Sequence, residues 1–514
     1  MTEYLIIMKS LFKTVAVITV FSVFTRALGF FFRIFLGRTL GPELLGVYQV
    51  AFSVFAVLLT IVSSGIPLVI SKLTAKYKAE GDKEKEFKAT TSGLIIGVVV
   101  SVILCGVVLA FNGLFNLIFT DERCILILIT LLPSVFFSAI YCAFRGSLWG
   151  HGRYFSVCLA ELFEQVIRII ICLVMVTGLF GAIDGAISAA ASLSIACVLS
   201  AVMVAIMYFW YGGRLKKPKG HFKEVIKSGA PITGVRIASS LIQPVISIIV
   251  PMRLVSAGFT QAQAMSQFGV AMGMTLPLLF VPMAVVGSLS MALIPDLSAA
   301  MAQSNDRHIE SRIKSSLIFT IFVTMLFVPL FMGVGELAGE FFYANTYSGT
   351  LLVSAAWIMI PMGLTNITSS ILNALGMEIK SLRNYVAGAI FLLAASWFLP
   401  SVVGVSALIY GMGICSVITT ILNVRMISKK IGSKMKISKQ LIILTLISLP
   451  VAAITSFVSQ IFVHVFPTLI NLVVSCALGA GLYVLLSVVF GVINISVYYS
   501  AVKEKLARKK KKRV

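Results

Sequence analysis

The chain has 514 residues, 59% of them hydrophobic and only 12% charged, and its mean hydropathy is +1.03. No soluble domain of that length could hide so much apolar surface, so the composition excludes a soluble enzyme or binding module and predicts an integral membrane protein. The formal charge of +23 does not point to nucleic acid, because the basic residues fall in short stretches between apolar runs and not on one face of a soluble fold.

Apolar runs long enough to cross a hydrocarbon core of ~30 Å recur from end to end. They predict about fourteen helices, at 11–36, 44–70, 90–119, 124–146, 155–178, 182–210, 229–256, 264–293, 315–338, 350–374, 384–400, 403–426, 438–463 and 467–498. The fold class is therefore all-α and polytopic. The N-terminus has no small-residue cleavage site after a short apolar core, so the first segment is expected to stay as a helix.

That first segment holds "RALGFFFRIFLGR", with Arg26, Arg33 and Arg38 and no acid. Arg26 and Arg33 are two helical turns apart, so they share one face and lie roughly 10 Å apart along the axis. An arginine near a bilayer centre costs about 2.5–3.5 kcal/mol on insertion scales, so the pair needs solvation or a partner. Arg38, and equally Arg33, can snorkel to an interface; Arg26, at about two-thirds depth, cannot. Guanidinium forks on a wet cavity wall suit phosphate oxygens, which makes Arg26 and Arg33 the candidate site for an anionic substrate.

In the second span Gln49 is a lone polar residue, read as an interhelical hydrogen bonder before a ligand. Lys72, Lys76, Lys78, Lys83, Lys85 and Lys88 follow that span, and basic clusters recur after the sixth and twelfth spans, while the alternate links are nearly bare; the one after span nine carries Glu336 and Glu340. This alternation places both termini in the cytoplasm, with the tail "KEKLARKKKKRV" as an anchor near anionic lipid. Arg145 ends the fourth span and either lines a cavity mouth or anchors its helix. In the fifth span, "AELFEQVIR" puts Glu161, Glu164 and Arg168 on one face. Glu164 and Arg168 are expected to pair, leaving Glu161 as a proton or cation site.

Arg236 enters the seventh span with the same two readings as Arg145. Pro231, Pro244 and Pro251 in that span, and Pro277 and Pro282 in the eighth, are expected to break or kink their helices. "GIPLVISKLTA" at the end of span two and "LIPDLSAAMA" at the end of span eight repeat Ile-Pro, Ser and Ala six spans apart. This predicts two six-helix lobes in the same orientation, 1–228 and 229–437, followed by two extra helices over 438–500 and the polybasic tail 501–514.

The eight cysteines are scattered through apolar runs, with no CxxC pair and no histidine at ligand spacing, so no disulfide framework, metal site or other cofactor is expected. No GxxxxGK[ST] occurs, which argues against an ATP-driven pump or an enzyme.

The stretches "RALGFFFRIFLGRTLGPELLGVYQVAF", "SSGIPLVISKLTAKY", "VPMRLVSAGFT", "GMTLPLLFVPMAVVGSLSMALIPDLSAA" and "SSILNALGMEIKS" together resemble the stage V sporulation protein B-like family. That family lies in the polysaccharide-transporter branch of the multidrug, oligosaccharidyl-lipid and polysaccharide exporter superfamily, related to lipid II flippases. The resemblance implies a V-shaped pair of lobes, alternating access, and outward movement of undecaprenyl-pyrophosphate-linked sugars for peptidoglycan, spore cortex or other envelope polysaccharide. It further implies that Arg26 and Arg33 receive the pyrophosphate and that the two extra helices hold the lipid tail. Implied partners are a lipid-linked saccharide, membrane lipids, a coupling ion and peptidoglycan-synthesis enzymes, with no nucleic acid. The arginine spacing is one residue longer than in the flippase motif, and "TIVSSGIP" carries no second-helix arginine. The alternative function is an ion-coupled exporter of small amphiphiles, which would need a cavity carboxylate, Glu161 first.

Overall fold

The computed structural model describes residues 2–177, 185–218, 221–302, 306–432 and 438–492. The described residues form helices and no strands. Ten of these helices are long and apolar enough to cross a membrane, or eleven with one bent pair counted as a span. About fourteen were expected from the apolar runs alone. Part of the difference is bookkeeping, since the first two predicted spans are one run interrupted by a kink; part is polarity, since the fifth predicted span carries Glu161, Glu164 and Arg168.

The chain packs as two compact units, residues 1–273 with 396–405, and 274–395 with 406–514. The first unit opens with α1 (Thr2–Ser63), which bends at Gly41, φ 70°, where Pro42 follows. A left-handed φ at that point is one that glycine adopts without strain. After the break at Ser64 come α2 (Gly65–Glu80) and α3 (Lys83–Ala110), then the short α4 (Asn112–Ile118). The unit continues through α5 (Arg123–Gly150), α6 (Tyr154–Val176), α7 (Gly185–Trp210), α8 (Phe222–Ser240), α9 (Ile242–Ser256) and α10 (Gln261–Gly269).

Asp82 caps α3 by accepting from the Lys85 amide, and Lys85 and Lys88 pair with Asp82 and Glu84 at 2.9 and 2.7 Å. The first basic stretch is thus mostly helical, the end of α2 and the start of α3, and α3 begins well before the predicted apolar run. The helix is inverted relative to a soluble one. Gly93, Gly97 and Ser101 are buried, whereas Val99, Val102, Ile103 and Val107 are exposed. Small residues that let helices approach, and apolar side chains that meet lipid, account for that arrangement. On α5, Gly146 and Gly150 face α2 one turn apart, where an added Cβ would stand 2.7 Å from the carbonyl oxygens of Pro67 and Ser71. Ser134 and Ser194 join α5 to α7 at 3.0 Å.

The second unit has α11 (Leu276–Leu279), α12 (Val281–Ala302), α13 (Asp306–Tyr343), α14 (Thr346–Ala355), α15 (Met359–Ala374), α16 (Glu378–Phe398), α18 (Ser406–Ile431), α19 (Ser438–Phe462) and α20 (Thr468–Val489); α17 (Pro400–Val403) belongs to the first. Val286, Leu317, Ile321, Ile367, Ile371, Val451 and Tyr483 form its core. A buried polar chain threads it: Asn384 donates to Asn423 at 2.9 Å, and Asn423 donates to Thr368 at 3.1 Å. Satisfying such groups internally is obligatory where water is absent.

Of the predicted proline breaks, those near Pro244, Pro277 and Pro282 are found, whereas Pro231 and Pro251 lie inside α8 and α9, which continue as helix through them. The seventh span is two helices joined at Leu241, and the eighth passes from α10 through a π turn, Val270–Thr275, into α11 and α12 with a 50° bend. The expectation that Glu336 and Glu340 lie in a link is corrected, because α13 continues as helix to Tyr343. The 501–514 tail and the Lys434 and Lys436 positions lie outside the described residues. Of the repeat, "GIPLVISKLTA" starts a helix after the Ser64 break, while "LIPDLSAAMA" lies inside an unbroken α12.

Candidate functional site

Arg26 and Arg33 are both exposed on α1, while Phe32 and Leu36 of the same helix are buried at 4% exposure each. Among the described residues neither arginine has an ion pair or a hydrogen bond, so their charge is not spent inside the first unit. Arg33 acts electrostatically on the hydroxyl of Tyr48, and so does Arg168 from α6.

The expected Glu164–Arg168 pair is absent at ion-pair distance. Arg168 instead lays its guanidinium 4.6 Å from the Phe32 ring centroid and donates from Nη2 to Gln165 Oε1. Stacking on an aromatic face across two helices offers a planar guanidinium a contact comparable to the i,i+4 pair, about 0.5–2 kcal/mol against 0.2–0.5. Glu164 feels the charges of Arg168, Glu161 and Arg145, so all four belong to one electrostatic group.

Glu161, expected to be left over, is taken. Its Oε1 meets Arg145 Nη2 at 2.5 Å, with the two side chains 35% and 25% exposed. Arg145 also stands 4.2 Å from the Trp149 ring and 5.8 Å from that of Tyr141. It lies inside α5, which runs on to Gly150, and does not end its helix. The Nε atoms of Arg145 and Arg168 are buried and make no hydrogen bond. Each of these two guanidinium groups therefore keeps one unused donor, Arg168 against Phe32 of α1 and Arg145 beside Glu161. At this exposure the Arg145–Glu161 pair should be worth about 1 kcal/mol in a double-mutant cycle of thermal stability on Arg145→Gln and Glu161→Gln. A coupling near zero would remove it from the account.

Arg236 is exposed on α8, and Gln49 is half-buried on α1; neither joins this group through a recorded contact. Two charged clusters were not legible beforehand. At the start of α5, Arg123 holds Asp121 through Nε at 3.0 Å and Nη2 at 2.7 Å, and reaches Glu43 beyond the α1 kink at 2.5 Å. The run "TDER" was the only signal, and it does not name Glu43 as the partner. The second cluster is Glu86 with His151. A groove of about 670 Å³ at the Gly41 kink is lined by Pro42, Glu43, Phe259, Gln263 and Gln267, and holds none of the candidate arginines.

A family model described as polysaccharide biosynthesis protein matches residues 11–301. Stage V sporulation protein B of Bacillus subtilis (strain 168) is 26% identical over 489 residues, 91% of this chain and 93% of that one. Among solved structures, the lipid II flippase MurJ in an inward closed conformation matches with a TM-score of 0.69 and 15% identity, covering 92% of this chain and 98% of that one. An inward-facing multidrug resistance MATE family transporter of the MOP superfamily matches with a TM-score of 0.67 and 16% identity, covering 80% and 96%. At such identities these two likenesses establish the fold.

Proposed function

We infer the function from the premise that this chain belongs to the polysaccharide biosynthesis protein family. It is a multi-pass membrane protein, and we read it as a flippase for a lipid-linked oligosaccharide, of the undecaprenyl-pyrophosphate type, working by alternating access. The observation that carries this reading is the pair of exposed, uncompensated arginines on α1. Their charge calls for an anion at membrane depth, and a pyrophosphate offers the oxygens that guanidinium forks bind best. Arg168, packed on Phe32 of α1, adds a further positive charge next to that helix.

In this reading the chemistry is binding and displacement, with no bond made or broken, so the protein is not an enzyme. The lobes of this reading are those of the sequence repeat, 1–228 and 229–437, with 438–500 contacting the lipid tail and both termini facing the cytoplasm. Glu164, with no arginine at ion-pair distance, is the group available to a coupling ion, and Glu161 would serve only on release from Arg145. The saccharide lipid is the partner this reading requires; wall-synthesis enzymes would receive it on the far side.

A second reading, export of small cationic amphiphiles, is favoured by one observation: Glu164 has no arginine at ion-pair distance and so could answer to a cation. Overexpression separates the two. The flippase reading expects no gain in resistance to cationic drugs; resistance that rises with expression and vanishes in Glu161→Gln or Glu164→Gln would replace it.

A further inference from the structure

Where α3 begins and α5 ends lies a polar centre that the transport reading does not use. Glu86, in the first turn of α3, is 3% exposed. Its Oε1 meets His151 Nε2 at 2.8 Å, while His151 Nδ1 lies 2.9 Å from the Ser147 carbonyl oxygen. Both ring nitrogens therefore face acceptors. A neutral imidazole donates from one nitrogen only, so the charged ring alone satisfies both contacts. Loss of its proton would set a lone pair against either the buried carboxylate or the carbonyl.

The neighbours come from several elements. Lys78 of α2 donates to the His151 carbonyl oxygen at 3.3 Å. Lys83 precedes Glu86 on α3, and Arg153 of the α5–α6 turn stacks 4.4 Å from the Tyr211 ring centroid. Tyr208 of α7 feels the Glu86 charge. A cavity of about 190 Å³ reaches the pair, lined by Lys83, Glu86, His151, Arg153, Tyr208 and Tyr211. Solvent protons have access to the ring, which is 31% exposed.

We propose that Glu86 and His151 form a proton-operated latch, which ties the α5–α6 turn to the start of α3 while the ring is charged and releases it when the ring is neutral. The hydrogen bond with Glu86 raises the His151 pKa above its ordinary value against the opposing effect of burial; the Ser147 carbonyl adds to the rise and Lys78 works against it. A histidine raised on folding contributes its full stability below the ordinary imidazole value of about 6.5, and that contribution is lost as pH climbs through the raised value.

The test is hydrogen–deuterium exchange of the purified full-length protein from acid to alkaline pH, following peptides at 77–90 and 147–157, with α19 peptides correcting for intrinsic exchange. Protection in both latch segments should fall by about ten-fold as pH rises, and together. His151→Gln, which still donates to Glu86, should flatten the profile, and Glu86→Gln should move it to lower pH. Wild-type segments equally protected across the range would overturn the latch, as would an unchanged profile in His151→Gln. The wild-type profile decides even where a variant does not fold.

Discussion

Replacing Arg26 and Arg33 together with alanine is expected to abolish transport while the protein still inserts at normal levels. Insertion should not suffer, because each arginine is a cost of about 2.5–3.5 kcal/mol to a buried helix, and its removal orphans no partner. Binding should suffer heavily. Charge-assisted hydrogen bonds contribute about 1.5–3 kcal/mol each, so losing two sites lowers affinity by about 10² to 10⁴. The double lysine variant keeps the charge without the planar fork and should recover part of the rate. Transport at the wild-type rate by the alanine pair, at equal membrane abundance, would remove these residues from the pathway.

Gly269→Ala is expected to unfold the seam between α1 and α10. A Cβ at Gly269 would overlap the Pro42 carbonyl oxygen, and one at Gly46 would overlap that of Met265, so the two helices meet backbone to backbone. Alanine improves helix propensity by about 1 kcal/mol, but main chain on both sides cannot yield as a side chain can. The clash should win by about 3 kcal/mol or more. Gly287 in α12 has nothing within 4 Å of its would-be Cβ, so Gly287→Ala should hold or raise the melting temperature that Gly269→Ala lowers. Equal melting of the two variants would contradict the packing.

The membrane class and the helix breaks were legible because they rest on local chemistry: run length, and the backbone groups that Pro244 and Pro282 free. The bend at Gly41 falls in the gap left between the first two predicted spans, 11–36 and 44–70. Polar helix was harder. An apolar-run reading stops where lysines begin, so it missed that α3 starts at Lys83 under an Asp82 cap and that α13 runs past Glu336 and Glu340. Pairings were hardest. Helical spacing offered Glu164 to Arg168, but Phe32 of another helix is the partner, and Glu161 is held by Arg145 of α5. The same limit hid Glu86–His151, whose members are 65 positions apart in the chain.

The most direct test of the central claim compares two fluorescent undecaprenyl saccharides in proteoliposomes of wild-type protein under an imposed potential, one pyrophosphate-linked and one with a neutral linkage. Recognition of the headgroup by the α1 arginines predicts rapid transbilayer movement of the first and none of the second. Equal movement of both, or export of a cationic dye with neither lipid moved, would contradict it.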